Sequence, residues 1–561
     1  MAESPIEWLR AKSDFPEWDT DLAEQTLLHQ HPAPFQPERA LQSLVVLQQQ
    51  FGQVSPPMQT WLASKSGVTV ADLRSLVSFY QFLEPTPPPR YHLRFANNII
   101  EQMSGVNDLV NQAREALRSV DCIVDTTSCI GLSDHPIAAL INGHPITRLN
   151  RSNIDALCQL IRAGKPLQEW PRRWFDVDNT IHHPGPLTSY PYARGQGLAL
   201  ASQQGQQWVL SRMEESGLRG LGGAGFPTAV KWRLCGQQPD PVKYITCNAD
   251  EGEPGTFKDR FYLTAQTDQV IEGMAIAAVA VGASKGYIYL RGEYLYLVEH
   301  IEAVLQQWRA RGQLGTGFDI ELQLGAGAYV CGEESAMLES LAGKRGIPTS
   351  KPPFPGQKGL FGKPTVVNNV ETLVAATYIL QQGSSAFRSV GTEHSPGSRL
   401  HSVSGDCRQP GLYELPQGAP VQDLLALCGA EDAHCVQSGG PSGALLLRHQ
   451  FQTPLDFESP GRGGSVMVFN RDRSLWDITR NFTRFFQHES CGFCTPCRAG
   501  TVAMNHLLDR YGQPAAAGLK TQTRVDMIEL VELMQHTSHC GLGKTAGLPV
   551  LNYLNQGAGH E

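Results

Sequence analysis

Four cysteines near the carboxyl end constrain this chain more than any other feature of its sequence. Three are separated by two residues each, in Cys491-Gly-Phe-Cys494-Thr-Pro-Cys497, and the fourth is Cys540 in His539-Cys540-Gly-Leu-Gly. Three thiolates at this spacing bind three irons of one cubane, while a distant fourth thiolate completes the site. Zinc also binds four thiolates, but usually through paired Cys-x-x-Cys units rather than a triple run. The pattern therefore predicts a [4Fe–4S] cluster.

Composition and the start of the chain narrow the class of protein. The net charge is −8 and no stretch is strongly basic, so nucleic acid is not an expected partner. The longest run of small apolar residues, Met274 to Ala283, is far below the roughly 20 residues that span a bilayer. The first residues lack a basic and then apolar secretory signal, and the thirteen cysteines are an odd number. We therefore expect a cytoplasmic protein that binds no membrane and has no disulfide framework.

At 561 residues the chain is too long for one hydrophobic core, and its patterns change along its length. Apolar residues at helical spacing give way to the breaker Glu84-Pro-Thr-Pro-Pro-Pro-Arg90, and later segments alternate strands and helices. The expected division is a helical N-terminal region (1–88), a small α/β unit (89–165), a linker (166–196), an α/β domain (197–397), a β-rich module (398–470) and a helical end (471–561).

The segment 197–397 predicts a parallel sheet with helices on both faces, because strand and helix patterns alternate along it. The predicted strands are Lys243–Cys247, Gly286–Leu290 and Asp319–Leu324, and the predicted helices are Val270–Val281, Leu295–Arg311 and Glu333–Leu341. Ligands of such sheets bind at the carboxyl ends of the strands. The polar residues that follow each strand are therefore the candidate site.

A glycine-rich stretch near the start of this segment is the first candidate ligand loop. Gly220, Gly222 and Gly225 satisfy a G-x-G-x-x-G pattern, with Gly223 beside them, and this pattern alone is weak evidence. A helical pattern precedes it, whereas a dinucleotide-binding fingerprint follows a strand. Glycines that lead into a helix still offer backbone N–H groups to a phosphate, and Lys231 adds charge within two turns. The alternative is a tight turn needed only for packing.

Two further polar stretches follow predicted strands. Asn248-Ala-Asp250-Glu251-Gly252-Glu253 places an amide and carboxylates where they can hydrogen-bond ribose or ribityl hydroxyls, with a solvated acidic turn as the alternative. Gly325 to Ser335 has small residues that let a planar ring approach closely, and Glu333 and Glu334 begin the next helix. Each stretch alone is compatible with a simple loop, whereas several in one sheet favour a ligand site.

These stretches closely resemble the NADH-binding flavoprotein subunit of respiratory complex I and its soluble relatives, over roughly residues 200–561. The resemblance implies a multidomain α/β fold, with a Rossmann-like FMN- and NAD(H)-binding domain, a β-grasp-like module over 398–470 and a C-terminal helical bundle that carries the cluster. It implies FMN contacts by Gly220, Gly222, Gly223, Lys231, Asn248, Asp250, Glu251, Tyr329, Gly332, Glu333, Glu334, Val367, Asn368, Asn369 and Thr372. It implies NAD(H) near Phe226, Glu253, Glu334, Lys351 and Phe354, and the [4Fe–4S] cluster on Cys491, Cys494, Cys497 and Cys540.

Two positions depart from this resemblance. Leu221 stands where relatives commonly carry Arg, so one contact to the FMN phosphate is expected to be missing. Ala229 stands where relatives often have Gly, which is a smaller change.

The N-terminal 165 residues resemble the small thioredoxin-like [2Fe–2S] protein that accompanies that flavoprotein. Of its cluster ligands only Cys129 keeps its place, because Ser133 stands where the last ligand belongs and the first pair, expected near Ala96 to Glu101, is absent. Two thiolates, if Cys122 is counted, are still fewer than the four ligands such a cluster normally needs. We therefore expect a degenerate ferredoxin domain without a [2Fe–2S] cluster, which docks the flavoprotein onto a partner. The segments that carry the likeness are Phe51-Gly-Gln, Ser78-Phe-Tyr-Gln-Phe82 and Ser128-Cys129-Ile-Gly-Leu-Ser133-Asp134.

A fusion of both modules in one chain is similar to the large diaphorase subunit of soluble NAD-reducing [NiFe]-hydrogenases. That resemblance implies a hydride exchanged between NAD(H) and FMN, and single electrons exchanged between FMN and the cluster. It requires no acid, base or nucleophile from the chain, so Glu253 and Glu334 are expected to position the nucleotide and to disfavour NADPH. The implied partners are the iron–sulfur electron-transfer subunit of the diaphorase module and the [NiFe]-hydrogenase subunits.

Three other functions compete with this one. An NAD-dependent formate dehydrogenase or a complex I-like NADH:quinone oxidoreductase usually keeps a separate, cluster-bearing small subunit. A non-redox assembly scaffold would not need four intact cysteines or the intact string Asn248 to Glu253. A zinc-binding interaction protein is distinguished by iron analysis.

Overall fold

A computed structural model describes residues 15–512 and 517–556 of the chain. The α-helices are α1 (Thr20–Gln30), α2 (Ala40–Phe51), α3 (Pro56–Ser66), α4 (Val70–Phe79), α5 (Ile99–Met103), α6 (Val106–Ala116), α7 (Arg151–Arg162), α8 (Pro186–Ser189), α9 (Gln196–Gln204), α10 (Gln206–Ser216), α11 (Thr228–Gly236), α12 (Lys258–Ala265), α13 (Thr267–Val281), α14 (Val298–Ala310), α15 (Glu334–Leu341), α16 (Val370–Gln382), α17 (Ser384–Arg388), α18 (Val421–Cys428), α19 (Leu475–Glu489), α20 (Thr495–Tyr511), α21 (Ala517–Thr537), α22 (Gly541–Thr545) and α23 (Leu548–Gln556). The strands are β1 (Tyr91–Ala96), β2 (Cys122–Thr127), β3 (Ala139–Ile141), β4 (His144–Ile146), β5 (Ile181–His183), β6 (Tyr244–Ala249), β7 (Lys285–Leu290), β8 (Asp319–Leu324), β9 (Thr365–Asn369), β10 (Ser398–Gly405), β11 (Gly411–Pro416), β12 (Cys435–Ser438), β13 (Ala444–Leu447) and β14 (Ser465–Phe469).

The central sheet has four parallel strands in the order β8-β7-β6-β9, which confirms the predicted α/β class. Its residues Ile245, Ile288 and Val366 are fully buried, as expected for strands covered on both faces. Helices α13 and α16 pack against each other and against β6. The sequence predicted three of the four strands. The fourth, β9, contains Val367 to Asn369, so these predicted site residues lie on a strand whose carboxyl end joins the same edge as the others.

The second sheet has six strands in the order β13-β12-β14-β10-β11-β5 and lies mostly within 398–470. Its edge strand β5 comes from the segment interpreted as a linker and pairs in parallel with β11. Glu414 of β11 accepts hydrogen bonds from the amides of Leu187 and Thr188, both at 2.8 Å. Residues 181–188 are therefore fixed onto this sheet. The domain boundaries themselves stay predictions.

The N-terminal residues form two parts that pack differently. Helices α1–α4 share one core with the central domain, in which Leu44 and Leu73 are buried together with Tyr289 and Met337. Strands β1–β4 form a separate sheet in the order β2-β1-β3-β4, against which α6 and α7 share a core. Strands β3 and β4 pair in antiparallel fashion and form a hairpin.

Helices α19–α23 form the helical end of the chain. The core of this bundle includes Phe486, Met504 and Val531, which are 1% exposed or less. Within residues 15–512 and 517–556, no helix is both long and apolar enough to cross a membrane.

A partly buried ion pair joins the N-terminal helices to the central sheet. Both terminal nitrogens of Arg39, just before α2, donate to the carboxylate of Glu321 on β8, and Lys285 lies 3.2 Å from the same carboxylate. Burial alone would raise the pKa of Glu321, but the hydrogen bond and charge of Arg39, with Lys285, lower that pKa to about 2. The ionised form of Glu321 therefore stabilises the folded chain.

Glu321→Gln is expected to lower the free energy of unfolding by about 3 kcal/mol at neutral pH, since one pKa unit is worth about 1.4 kcal/mol. Because the pKa is lower in the folded chain than in the unfolded one, this stability is present above about pH 4.5 and is lost as the pH falls toward 2. Urea denaturation of both proteins at a series of pH values measures the difference. Glu339→Gln, which breaks an exposed pair with Lys344, is the control, and a Glu321→Gln effect that did not shrink in acid would contradict the account.

Candidate functional site

The glycine-rich loop connects α10 to α11. Its ends are held by hydrogen bonds from Gly220 N to Phe226 O at 2.9 Å and from Gly225 N to Gly220 O at 3.2 Å. Gly223 has a φ of +115°, which a residue with a side chain rarely adopts. Among the described residues, no group accepts a hydrogen bond from the amides of Gly222, Gly223 and Ala224. Successive unpaired N–H groups before a helix fit a phosphate, and this is the observation that matches the chain to FMN.

Residues behind this loop hold it in place. Leu221 N donates to Thr372 Oγ1 at 2.9 Å, and Arg399 Nη2 donates to Leu221 O at 2.7 Å. An added Cβ at Gly222 would lie 2.9 Å from Cβ of Asn369, so the two backbones approach closely. The Leu221 side chain is 1% exposed and packs in the core of the domain. An Arg side chain at this position would therefore have to leave the core to reach a ligand.

The ends of β6 and β9 meet α11 and the loop before α15. Asn248 Nδ2 donates to Gly332 O at 2.8 Å, and Lys231 Nζ donates to Val367 O at 3.0 Å. Asn368 is buried, and its Oδ1 accepts from Trp232 Nε1 at 2.8 Å, which fixes α11 to the strand. The structure therefore brings together predicted site residues from four separate stretches of sequence.

The acidic loop, residues 248–253, contains three carboxyl groups whose pKa values are raised by burial. Burial raises the pKa of Asp250 to about 8, against the opposing charge of Arg291. Burial also raises the pKa of Glu251, whose carboxylate accepts from Asp259 N at 2.9 Å and faces Tyr294 Oη at 3.3 Å. Glu251 is therefore occupied by contacts within the protein, whereas Asp250 makes no side-chain hydrogen bond among the described residues.

Glu253 links the acidic loop to the second sheet. Tyr329 Oη donates to Glu253 Oε2, and Ser442 N donates to Glu253 Oε1 at 2.8 Å. Burial raises the pKa of Glu253, while the hydrogen bonds from Tyr329 and Ser442 oppose that shift. The sequence did not predict Ser442. Its turn, Gly439-Gly440-Pro441-Ser442-Gly443, is rich in glycine, but no sequence signal places it against a loop nearly 190 residues earlier.

Two acidic residues and two lysines lie at the start of α15. Glu333 is its N-cap, because Glu333 Oε2 accepts from Ser335 N at 2.8 Å and Ala336 N at 3.0 Å. Lys351 Nζ donates to Glu333 Oε1 at 2.8 Å and to Glu334 Oε1 at 2.9 Å, and Lys231 lies 3.5 Å from Glu334. Burial alone would raise the pKa of Glu334, but the two lysines hold it below its usual value. This region therefore offers cations and anions side by side.

Two predicted nucleotide contacts are aromatic side chains that the fold leaves exposed. Phe226 is 46% exposed and Phe354 is 55% exposed. Both lie on segments next to α11, since Gly356 approaches Cys235 of that helix. Exposed aromatic rings beside a polar loop are typical of surfaces that stack on a planar ligand.

The four cysteines of the motif line one apolar pocket. Cys494 is the N-cap of α20, Cys491 follows α19, and Cys540 directly precedes α22. Ser490 Oγ lies 3.2 Å from Cys497 Sγ. The remaining wall consists of Val330, Pro348, Phe493, His539 and Leu542.

The spread of these thiols fits a cluster better than a single ion. In the described part of the chain, no three His, Cys, Asp or Glu side chains are grouped closely enough to hold one metal ion. A zinc ion needs its thiolates about 2.3 Å from one point, whereas each thiolate of a cubane binds its own iron. The donor set and its arrangement therefore fit a [4Fe–4S] cluster.

Three family descriptions match the chain. Residues 25–162 match the thioredoxin-like [2Fe-2S] ferredoxin, and residues 213–378 match the Nuo51 FMN-binding domain. Residues 477–557 match the iron-sulfur binding region of NADH-ubiquinone oxidoreductase-F. The last two agree with the predicted FMN and [4Fe–4S] cofactors.

The first match contradicts one prediction. We expected no [2Fe–2S] cluster in the N-terminal part, and the match of residues 25–162 to a [2Fe-2S] ferredoxin shows that this expectation was wrong. A count of cysteines misses other ligands, since histidine also binds iron in some [2Fe–2S] centres. In the structure, Cys129, Ser133 and Asp134 are all buried.

Proteins of known kind resemble the chain over most of its length. It is 39% identical to the NAD-reducing hydrogenase HoxS subunit alpha of Cupriavidus necator, over 92% of this chain and 90% of that protein. It is 37% identical to the NADP-reducing hydrogenase subunit HndC of Solidesulfovibrio fructosivorans, over 66% of this chain and 79% of that protein. A solved structure of NAD+-reducing [NiFe]-hydrogenase in the H2-reduced state matches with a TM-score of 0.88 at 39% identity, over 94% of this chain and 92% of that chain.

Proposed function

Because this chain belongs to the family of the NAD-reducing hydrogenase HoxS subunit alpha, we propose that it is the diaphorase subunit of an NAD-reducing hydrogenase complex. It is an NAD(H)-dependent oxidoreductase subunit with an FMN-binding domain and an iron–sulfur region. When bound, FMN accepts or returns a hydride at the nicotinamide and exchanges single electrons with a [4Fe–4S] cluster.

One observation carries this proposal more than any other. The segment from Tyr329 to Lys351 contributes residues to both candidate sites: Glu334 and Lys351 face the nucleotide region, and Val330 and Pro348 line the cysteine pocket. Tyr329 also packs on Phe485 of α19, with ring centroids 4.9 Å apart. One segment therefore carries residues that would hold a flavin and residues that would hold a cluster, as an exchange of electrons between the two groups requires.

The role of the chain's own residues is to bind and orient the cofactors. We propose that the amides of Gly222, Gly223 and Ala224 bind the FMN phosphate, and that Asn248 and Asp250 orient the ribityl chain. The other predicted FMN contacts surround the same region, and they are Gly220, Lys231, Tyr329, Gly332, Val367 and Asn369. Glu251, Asn368 and Thr372 instead hold neighbouring residues in place through the hydrogen bonds described above. Cys491, Cys494, Cys497 and Cys540 would hold the cluster.

We assign the specificity for NADH over NADPH to the carboxylates of Glu253 and Glu334. Phe226 and Phe354 offer faces for the adenine, and Glu253 and Glu334 would repel a 2′-phosphate on the adjoining ribose. One relative is named for reducing NADP, so membership of the wider family alone does not decide this preference. The preference for NADH therefore stays a proposal about these residues.

Glu253→Ala is expected to raise the ratio of kcat/KM for NADPH to that for NADH by about tenfold, which corresponds to about 1.4 kcal/mol. Removing the charge lowers the repulsion that a 2′-phosphate meets. Steady-state kinetics with both nucleotides and a viologen dye measure the ratio. Glu339→Ala, which removes a carboxylate paired with Lys344 on α15, is the control. An unchanged ratio would remove Glu253 from the determinants of specificity.

The family supports a proposal about the partners of the chain. The chain is a subunit of a multisubunit complex, and we propose that its neighbours are an iron–sulfur electron-transfer subunit and the subunits of a [NiFe]-hydrogenase, in the cytoplasm. A complex purified through this chain should reduce NAD⁺ with H₂. Formate-dependent or quinone-linked activity without H₂-dependent activity would instead favour the formate dehydrogenase or complex I-like alternative.

A further inference from the structure

Two arginines of the central domain reach into the thioredoxin-like part of the chain. Arg260 on α12 and Arg291 after β7 are 0% and 3% exposed. Arg260 donates to Gly131 O at 2.6 Å and pairs with Asp134 at 2.6 Å, while Arg291 donates to Cys129 O at 2.7 Å. Both therefore hold the segment 128–136, which we name the docking loop.

Arg291 differs from Arg260 in what else it binds. Its Nη1 donates to the carbonyl oxygen of Glu251 in the acidic loop, and its Nε donates to Glu293 Oε2 at 3.0 Å. One planar guanidinium thus joins a backbone carbonyl of the docking loop to a backbone carbonyl of the acidic loop. Because the fork of an arginine is rigid, the two carbonyls are held at a fixed separation.

The backbone of the acidic loop is tightly packed, so a displacement of one of its residues moves its neighbours. An added Cβ at Gly252 would lie 2.9 Å from Tyr329 Cδ2, and Glu251 is anchored by Asp259 N at 2.9 Å. A displaced Glu251 carbonyl would therefore move Asp250 and Glu253, which are within two residues of it. The docking loop is also tied to the other cofactor region, because Ser128 Oγ donates to Glu489 at the end of α19.

We propose that Arg291 is a positioning residue of the flavin site, through which the docking loop fixes the backbone of the acidic loop for FMN. The inference rests on the proposed function, since it takes FMN to bind beside residues 248–253. It gives the N-terminal part of the chain a role in flavin binding that does not depend on which cofactor that part holds.

Arg291→Lys in the full chain keeps a positive charge for Glu293 but cannot reach both carbonyls at once. We expect the Kd for FMN to rise about tenfold, measured from the fluorescence of released FMN, and the midpoint potential of the bound flavin to shift from the wild-type value. Arg260→Lys loosens the same docking loop without touching Glu251. Its Kd for FMN is expected to stay within about twofold of wild type.

The outcomes separate this inference from the function it rests on. If Arg291→Lys binds FMN with the Kd and midpoint potential of the wild type, the inference is wrong while the proposed function stands. Equal losses of FMN affinity in Arg291→Lys and Arg260→Lys would also overturn the inference, because the effect would then come from a general loosening of the docking loop. A wild-type chain that binds no FMN would overturn the proposed function and the inference with it. If Arg291→Lys does not fold, the double variant Arg291→Gln/Glu293→Gln removes both charges of the buried pair together and takes its place in the comparison.

Discussion

Cys540→Ala is expected to lower the iron content by about four atoms per chain and to reduce NADH-dependent viologen reduction at least tenfold, while FMN stays bound. Three thiolates would leave one iron of a cubane without its protein ligand, which would destabilise the cluster. The FMN contacts lie on other segments, so flavin binding is not expected to depend on Cys540. Iron analysis, flavin absorbance and dye reduction on the same preparation measure the three quantities.

Cys158→Ala is the matched control, because Cys158 is buried in the thioredoxin-like core on α7, outside the cysteine pocket. It should leave iron content and dye reduction unchanged. Zinc in place of iron in the wild-type chain, or a Cys540→Ala variant with full iron content, would contradict the assignment of the cluster. The first result would favour the zinc-binding alternative.

Lys258→Met is expected to lower the free energy of unfolding by about 3–5 kcal/mol, because it leaves buried carboxylates without their cation. Lys258 Nζ lies 2.6 Å from Asp259 Oδ1 and 2.9 Å from Glu371 Oε2, and all three side chains are 4% exposed or less. Burial alone would lower the pKa of Lys258, but Asp259, Glu371 and Glu251 raise it above its usual value. The lysine is thus held charged in the interior.

The measurement for Lys258→Met is urea denaturation at neutral pH followed by circular dichroism. Lys65→Met is the control, because Lys65 pairs with Glu24 at a position where both side chains are more than a third exposed. Such an exposed pair contributes at most about 1 kcal/mol. Similar losses in both variants would contradict the conclusion that Lys258, Asp259 and Glu371 form a stabilising buried network.

Much of the site could be predicted because its chemistry lies in short, contiguous strings. The cysteine motif, the glycine loop and the acidic loop each combine residue types whose spacing points to a ligand. The alternation of strands and helices also predicts that the acidic loop lies at the carboxyl edge of a parallel sheet. The structure brings these strings together, as in the contacts of Asn248 with Gly332 and Lys231 with Val367.

What could not be predicted depends on contacts between distant segments. The sequence of β9 is compatible with a polar loop, because the strand is short and ends in two asparagines. It forms a strand because it pairs with β6. Ser442 and Arg291 carry no local signal, and each acts through a partner more than 30 residues away. The prediction for the N-terminal cofactor was wrong because a count of cysteines tests only one kind of ligand set.

The most direct test of the central claim is NADH-dependent reduction of a viologen dye by the purified full chain, with its FMN and iron measured in the same sample. We expect about one FMN, at least about four irons and rapid dye reduction by NADH. A folded chain without flavin and without turnover would contradict it and would favour a non-redox scaffold.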